Sequence, residues 1–313
     1  MFKQTFRENF DNIANRIAEI AKTENTYTVA DVSDLACDVS QYTDYGLFTL
    51  GKTVGFPSQF ISELYNTNPE LANDIILDRA GNYFSNNNAD FIAREFLGKV
   101  SGVVSNQYNF FDDSKVAEII GSSVLAKKPY AHALVTPERL HLRAIDEDAP
   151  FRIDGDDSDL FFCYFIDNSM VGLSSFHVRL GIYRLACTNG LIMPIKEFVI
   201  CKQIHRGNKD IVAEFNESIA FLDKKRDGII EMLKKLAVSE AEVEKLHESH
   251  RLDYLAKKLV LSKKESIRIM EIYTDTYGGK TKWDMVNAIT EFARDEKKLE
   301  RREYLEKKAI QVA

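Results

Sequence analysis

Hydrophobic residues in the first third of the chain recur every three to four positions, a spacing that predicts short amphipathic helices. The opening stripe consists of Phe2, Phe6, Phe10, Ile13, Ile17 and Ile20. A further helix is predicted to begin near Pro57 and to end before Pro69. Residues 91–105 look extended, and residues 47–50 have the pattern of a short strand. Residues 1–125 are therefore predicted to form a mixed, mainly helical N-terminal region.

The middle of the chain, residues 126–210, is predicted to be a β-rich core. Residues 139–145 alternate polar and apolar side chains, as a half-buried strand does. Residues 160–166 are apolar without alternation, so a strand there would be covered on both faces at the centre of the sheet. With Gly181 as a break, further strands are predicted at residues 171–180, 182–187 and 198–204.

The last part of the chain, residues 211–313, has a helical pattern throughout. Apolar residues from Val212 to Leu236 alternate spacings of three and four, with Arg226 inside this heptad-type seam. Arg226 either sets the register of a self-associating helix or lies at the rim with its stem buried. Capping boxes are predicted at Ser239, Ser262 and Thr281. The predicted fold class is α+β, with a central antiparallel sheet, a helical N-terminal part and a helical C-terminal tail.

Composition and charge narrow the class of protein. A chain of 313 residues can bury a large core without disulfides or a structural metal. Its net charge of −7 argues against a protein that coats nucleic acid with its whole surface. The absence of a leader-like or membrane-length apolar run predicts a cytoplasmic protein with no membrane partner. Scattered cysteines, predicted to be buried free thiols, fit that compartment: Cys37, Cys163, Cys187 and Cys201.

A run of motifs between residues 160 and 233 resembles a known family. The most specific string is Tyr183-Arg184-x-x-Cys187-x-Asn189-Gly190. Before and after it stand Asp167-Asn168-Ser169-x-x-Gly172 and Phe221-x-x-Lys224-Lys225-Arg226-Asp227. Together they resemble the central signature of the phage/plasmid-like protein family, which occurs in phages, prophages and plasmids and is defined by a domain of unknown function.

Two flanking stretches, residues 96–108 and 283–292, also resemble the longer members of that family, so the likeness spans most of residues 57–296. The chain departs from the family at Asp295, in a helix where a histidine is common. The resemblance implies a mobile-element setting. At the level of fold, several strands followed by a long helix are also similar to the core of RecT/Redβ-type single-strand annealing proteins, although fold alone does not fix function.

A basic island within residues 160–209 supplies candidate binding residues. It holds six lysines and arginines against Asp167 and Glu197. Cations that track phosphates, interleaved with aromatic rings that stack on bases, are typical of sequence-tolerant single-strand binding. The predicted nucleic-acid-binding residues are Arg179, Arg184, Lys202, Arg206, Lys209, Phe176 and Tyr183. Alternatively, the arginines are solvated or pair with the acidic loop at residues 146–159.

Motifs for catalysis are weak. Gly46, Gly51, Lys52 and Thr53 match a phosphate-binding loop, but the match lacks the preceding apolar strand. A thiolate at Cys187 would need His177 or His205 as its base, and a strand end followed by a tight turn is the favoured interpretation there. Asp154 and Asp156 imitate the start of a calcium loop whose later positions do not fit. The sequence therefore predicts no enzyme, no metal site and no cofactor.

The segment at residues 255–268 has the pattern of a helix-turn-helix, with Val260 where a glycine is expected. Packing between tail helices is the favoured interpretation. The predicted function is non-catalytic single-stranded DNA binding and annealing in DNA recombination, by a homo-oligomer in the host cell. The alternative is a phage-encoded interaction protein that binds a host protein, such as a defence component, through its acidic surface and helical tail.

Overall fold

The computed structural model describes residues 8–28, 39–86, 91–106, 108, 111–156, 158–184, 189–192, 199–203 and 211–313. It contains two antiparallel sheets, one of three strands and one of six, with helices packed around them. The predicted α+β class is confirmed. Within these ranges, the helices are too short or too polar to cross a lipid bilayer.

The N-terminal region contains the smaller sheet. Its elements are α1 (Phe10–Ala21), β1 (Asn25–Thr28), α2 (Asp44–Thr53), α3 (Ser58–Thr67), α4 (Pro69–Asn86), β2 (Phe91–Phe96), β3 (Lys99–Ser105) and α5 (Asp113–Gly121). The strands pair in the order β1-β2-β3, and α2, α3 and α4 form a separate apolar core with them. Helices α1 and α5 instead pack into the main core.

The strand predicted at residues 47–50 is wrong, because these residues lie inside α2. Thr43 caps this helix by accepting a hydrogen bond from the Gly46 amide. Leu47 and Leu50, three residues apart, then face the same core. A side chain at Gly46 would collide with the Val100 carbonyl oxygen of β3. The glycine of the apparent phosphate-binding loop thus serves helix packing, and its lysine lies on a helix.

The larger sheet forms the centre of the molecule. Its strands are β4 (Tyr130–Val135), β5 (Leu140–Phe151), β6 (Leu160–Asn168), β7 (Phe176–Arg184), β8 (Asn189–Ile192) and β9 (Val199–Gln203), in the order β4-β5-β6-β7-β8, with β9 also paired to β7. Every residue of β6 is buried, which confirms the predicted central strand. The predicted break at Gly181 is wrong, since β7 runs through it and Gly181 lies opposite Cys163.

The chain ends in helices α6 (Ile211–Asp223), α7 (Arg226–Val238), α8 (Glu248–Leu259), α9 (Lys263–Glu271), α10 (Lys282–Arg294) and α11 (Leu299–Val312). The capping boxes at Ser262 and Thr281 are present, but Ser239 instead follows the end of α7. The predicted seam is divided between α6 and α7. Arg226 binds Asp146 and the Tyr164 hydroxyl within this chain.

The two faces of the larger sheet differ in polarity. Leu140, Leu142 and Phe162 belong to an apolar core that also includes residues of α1, α5, α6 and α7. The opposite face carries charged side chains that contact α11. The division into residues 1–125, 126–210 and 211–313 stays a prediction. Helices from both the N-terminal and the C-terminal regions share the main core with the larger sheet.

Candidate functional site

The charged face of the larger sheet results from strand register. Side chains alternate along β5, so the neighbours of Leu140 and Leu142 point away from the apolar core. Six side chains form two adjacent rows across β5, β6 and β7: His141, Asp167 and His177, then Arg143, Phe165 and Arg179. Polar residues scattered over about 40 positions of sequence are thereby brought onto one surface.

Asp167 lies at the centre of this surface and is fully buried. Its Oδ1 is 2.7 Å from His141 Nδ1 and accepts from Arg139 Nη2 at 3.3 Å. Its Oδ2 accepts from Arg179 Nη2 and lies 3.2 Å from His177 Nε2. Burial opposes ionisation, but His141, His177 and Arg179 outweigh it and hold the pKa of Asp167 well below its usual value. Asp167 is therefore a carboxylate.

Helix α11 covers this surface and supplies the remaining carboxylates. Glu303 accepts from Arg139 at 2.8 Å and from Arg179 at 2.6 Å. Glu306, also buried, binds the Arg143 guanidinium through both oxygens at 3.0 and 2.9 Å. The sheet and helix residues of this layer form a charge cluster: Arg139, His141, Arg143, Asp167, His177, Arg179, Glu300, Arg302, Glu303, Glu306 and Lys307.

One group in the charge cluster has the spacing of a metal site. His141, Asp167 and Glu303 each place a ligand-type atom within 4.8 Å of the others. However, His141 Nε2 is 3.2 Å from the Arg143 Nε–H donor, so the ring proton belongs on Nδ1, where it is donated to Asp167. A metal bound to Nδ1 would move the ring proton to Nε2, where it would face the N–H donor of Arg143. Both carboxylates also already face arginines, so these residues do not fit a divalent cation.

The charge cluster holds more cations than carboxylates. The cations are Arg139, Arg143, Arg179, Arg302 and Lys307, and the carboxylates are Asp167, Glu300, Glu303 and Glu306. Burial and then nearby positive charge, from Arg143 and Arg179 respectively, lower the pKa values of Arg302 and Lys307. The same two effects lower the pKa of His132, on neighbouring β4, to about 3. With five cations and four carboxylates, the charge cluster carries a formal charge of +1.

Three guanidinium nitrogens of the charge cluster are buried without a hydrogen-bond acceptor among the described residues. They are Nε of Arg139 and both Nε and Nη1 of Arg179. A buried donor without an acceptor costs about 1–3 kcal/mol, and an anion or an ordered water would remove that cost. The arrangement is chemically suited to attract an anion.

Arg184 lies outside the charge cluster, although the sequence grouped it with Arg179. Its Nε and Nη2 bind both oxygens of Asp156, at 3.0 and 2.9 Å, and its Nη1 donates to the Tyr277 hydroxyl at 3.0 Å. Trp283 Nε1 also donates to Asp156, at 2.9 Å. Arg184 thus pairs with the acidic loop and links the sheet to the tail, as the alternative interpretation proposed. Asp156 is engaged in this contact rather than solvated or placed for calcium.

The two aromatic residues predicted to stack on bases are buried. Phe176 is 0% exposed and lies between the rings of Phe111 and Phe215, at centroid distances of 5.0 and 6.3 Å. Tyr183 is 3% exposed, in a small apolar cluster with Phe161. Arg179 is 6% exposed. In this structure neither ring can stack on a base, because both side chains are buried, Phe176 on one face of β7 and Tyr183 on the other.

The remaining predicted residues are Lys202, Arg206 and Lys209. Lys202 is in β9, opposite His177 in the backbone register. Arg206 and Lys209 lie outside the described residues, as do Cys187 and His205 of the nucleophile alternative. The predicted burial of a free thiol is seen at Cys163, whose pKa burial raises to about 12.

Sequence reasoning missed the acidic half of the site. The alternation of Arg139, His141 and Arg143 with apolar residues was visible, and it marks a charged strand face. No local signal identified their partners, because Glu303 and Glu306 are 163–164 residues away in sequence. These two glutamates resemble any solvated pair on an exposed helix until the fold places them.

Comparison with known families gives one match. Residues 100–311 match the family model described as domain of unknown function DUF932. No curated protein and no solved structure matches the chain. The matched range runs from β3 into α11, so it includes the larger sheet and the whole charge cluster. Because this match covers more than half of its residues, the chain belongs to the DUF932 family.

Proposed function

We propose that this chain is a non-catalytic single-stranded DNA-binding protein of a phage or another mobile element, acting as an oligomer in the host cytoplasm. The observation that carries the proposal is the formal surplus of positive charge in the charge cluster, with guanidinium donors that have no acceptor among the described residues. Phosphate oxygens are the acceptors that arginine and lysine bind most widely in nucleic acids. The sequence resemblance to a mobile-element family and to annealing proteins supports the biological setting.

The buried and the accessible residues would contribute differently. Arg139 and Arg179 lie inside, held by Glu303, and contribute to the formal positive charge of the cluster. His177 and Lys307 are partly exposed at the rim. A strand of DNA would pass this rim and continue along β9, which carries Lys202. Arg206 and Lys209, which follow β9 in the sequence, are the further candidate contacts. Because Phe176 and Tyr183 are buried, the proposal rests on phosphate contacts rather than on base stacking.

Binding of fluorescent oligothymidine, measured by anisotropy at several salt concentrations, tests this function. The variant Lys202→Ala/Arg206→Ala/Lys209→Ala should bind more weakly, and its salt dependence should be shallower by about 2 in the log–log slope, since each phosphate contact contributes about 0.7. Lys307→Ala should act in the same direction. Lys308→Ala is the matched control, because Lys308 is the next residue of α11 and donates to Gln311 instead.

The mass of the complex should be measured in the same samples by light scattering, and an oligomer is expected. Absence of binding at low salt would refute the proposal. Equal affinity and slope in all the variants would remove this surface from any DNA site. Either result would turn attention to the alternative, an interaction protein that binds a host protein.

A further inference from the structure

Helices α8 and α9 form a helix-turn-helix unit. Helix α8 ends at Leu259, and α9 begins at Lys263 after three connecting residues. Val260 adopts the left-handed conformation, with φ 53° and ψ 57°, and Ser262 caps α9 in a complete capping box with Glu265. A turn of three to four residues that commonly contains glycine joins the helices of this motif. Val260 takes the conformation that glycine usually supplies.

The two helices are held together from one side. Leu255 and Leu259 of α8, and Ser266 and Ile269 of α9, are buried. Leu261 N, in the turn, donates to the Ala256 carbonyl at 3.0 Å. The opposite side of the unit faces solvent and is called the α8–α9 surface. Within residues 256–268, its exposed residues other than the capping residue Ser262 are Lys257, Lys258, Val260, Lys263, Lys264, Ile267 and Arg268.

Charge distinguishes this surface from the rest of the chain. Residues 256–268 hold five cations and one carboxylate, a local charge of +4 in a protein of net −7. The carboxylate, Glu265, accepts from the Ser262 amide as part of the cap. Arg268 is 63% exposed and contacts Glu271 at 3.2 Å on the solvent side. The surface is strongly basic and accessible.

Several features of this surface are unfavourable for the stability of the helices themselves. Lys263 and Lys264 occupy the first turn of α9, where the helix dipole favours acids. Val260, a β-branched residue, is left-handed and 70% exposed, and Ile267 is 40% exposed. Residues that disfavour local helix or turn stability are expected where a surface serves a function.

We propose that the α8–α9 surface binds duplex DNA, with α9 lying in the major groove. Residues 263, 264, 267 and 268 recur at intervals of four, so they share one face along the first turns of α9. In helix-turn-helix proteins, residues near the N-terminus of the second helix contact base edges while nearby cations contact phosphates. Ile267 and Val260 supply apolar groups that suit thymine methyls. Arginine and lysine suit guanine and the backbone.

Duplex DNA fits this surface better than a single strand or a lipid surface. Single-strand sites stack bases on exposed aromatic rings, whereas the exposed residues here are lysine, arginine, valine and isoleucine. Interfacial helices need a broad apolar face turned towards lipid, and the apolar faces of α8 and α9 are buried in the main core. This site is separate from the charge cluster and does not depend on the function proposed for it.

The test uses the full chain and a random-sequence duplex, with oligothymidine and anionic-lipid vesicles as parallel ligands. The variant is Lys263→Ala/Lys264→Ala/Arg268→Ala. The matched control is Lys234→Ala/Lys235→Ala, an exposed lysine pair on α7. At low salt the parent should bind the duplex. The variant should bind it at least about tenfold more weakly, with a log–log salt slope shallower by about 2 to 3.

Circular dichroism should show unchanged helix content, since alanine suits these helical positions. Oligothymidine affinity should be unchanged in this variant and reduced in the variant of residues 202, 206 and 209, so the two proposals can fail separately. The duplex proposal is overturned if the parent does not bind duplex at low salt. It is also overturned if the parent binds oligothymidine or vesicles more tightly than duplex and the variant loses that binding. Equal losses of duplex affinity in the variant and the control would overturn it as well.

Discussion

Two groups of basic residues in this protein lie in opposite environments. In the charge cluster, Arg143 and Arg179 are almost completely buried, and each is bound by a carboxylate of α11. On the α8–α9 surface, Lys263, Lys264 and Arg268 are exposed. The basic island of the sequence pointed to Arg179 as a contact residue, but Arg179 is buried, whereas the cations of the second group are exposed to solvent.

The comparison shows that arginine and lysine have different roles when they are buried and when they are exposed. A buried guanidinium loses its hydration, so removing its partner leaves an uncompensated charge. An exposed lysine keeps its hydration, and its ion pairs contribute about 0–1 kcal/mol. Substitutions of the buried residues of the charge cluster should therefore change stability, whereas those on the α8–α9 surface should change binding.

The largest effect is expected for Asp167→Asn. The neutral amide leaves Arg139, Arg179 and His177 without their shared carboxylate, and it should lower the free energy of unfolding by about 3–5 kcal/mol. Urea denaturation at neutral pH measures this change. Asp295→Asn, at an exposed carboxylate beside Arg294, is the control and should change it by less than about 0.5 kcal/mol. A loss below about 1 kcal/mol for Asp167→Asn would show that the buried cations of the cluster do not need the charge of this carboxylate.

The limits of prediction from sequence follow from the range of each interaction. The central strand β6 could be predicted because an apolar run without alternation depends only on neighbouring residues. The capping boxes at Ser262 and Thr281 were found for the same reason. The strand predicted around Leu47 failed because Thr43 caps a helix there, which a four-residue window could not reveal.

The site was harder to predict than the fold. Arg179 was correctly identified as a charged residue of a strand, yet its burial depends on Glu303, 124 residues later in the chain. Arg184 looked equivalent to Arg179, and only the fold separates them, because Asp156 and Trp283 hold Arg184 at the other end of β7. A local charge count cannot distinguish a buried pair from a solvated cation.

An effect of opposite sign, and largest at alkaline pH, is expected at Asp113. This carboxyl group is 2% exposed, and burial raises its pKa to about 7 despite a 2.7 Å hydrogen bond from Asn168. The folded state therefore holds the proton more tightly than the unfolded state. The resulting stabilisation is complete below about pH 4 and is lost as the pH rises through about 7. For Asp167, whose pKa is lowered, the stabilisation is instead present at neutral pH and lost on acidification.

Asp113→Asn keeps the shape of the side chain and removes its titration. At about pH 8 it should raise the free energy of unfolding by up to about 4 kcal/mol, and near pH 4 it should change it little. Urea denaturation at both pH values measures the difference. If Asp113→Asn changes the free energy of unfolding equally at the two pH values, the pKa of Asp113 does not differ between the folded and unfolded states.

The smallest effect is expected at Val260, on the exposed side of the comparison. Val260→Gly removes a β-branched residue from the left-handed region and should raise the free energy of unfolding by about 0.5–1 kcal/mol, because the backbone strain exceeds the added entropy of glycine. Leu97→Gly is a matched control, since Leu97 has the same φ of 53° in the connection between β2 and β3. Both variants should be stabilised by similar amounts. Because Val260 is proposed to contact the DNA, Val260→Gly should weaken duplex binding and Leu97→Gly should not; unchanged affinity in both would limit Val260 to forming the turn.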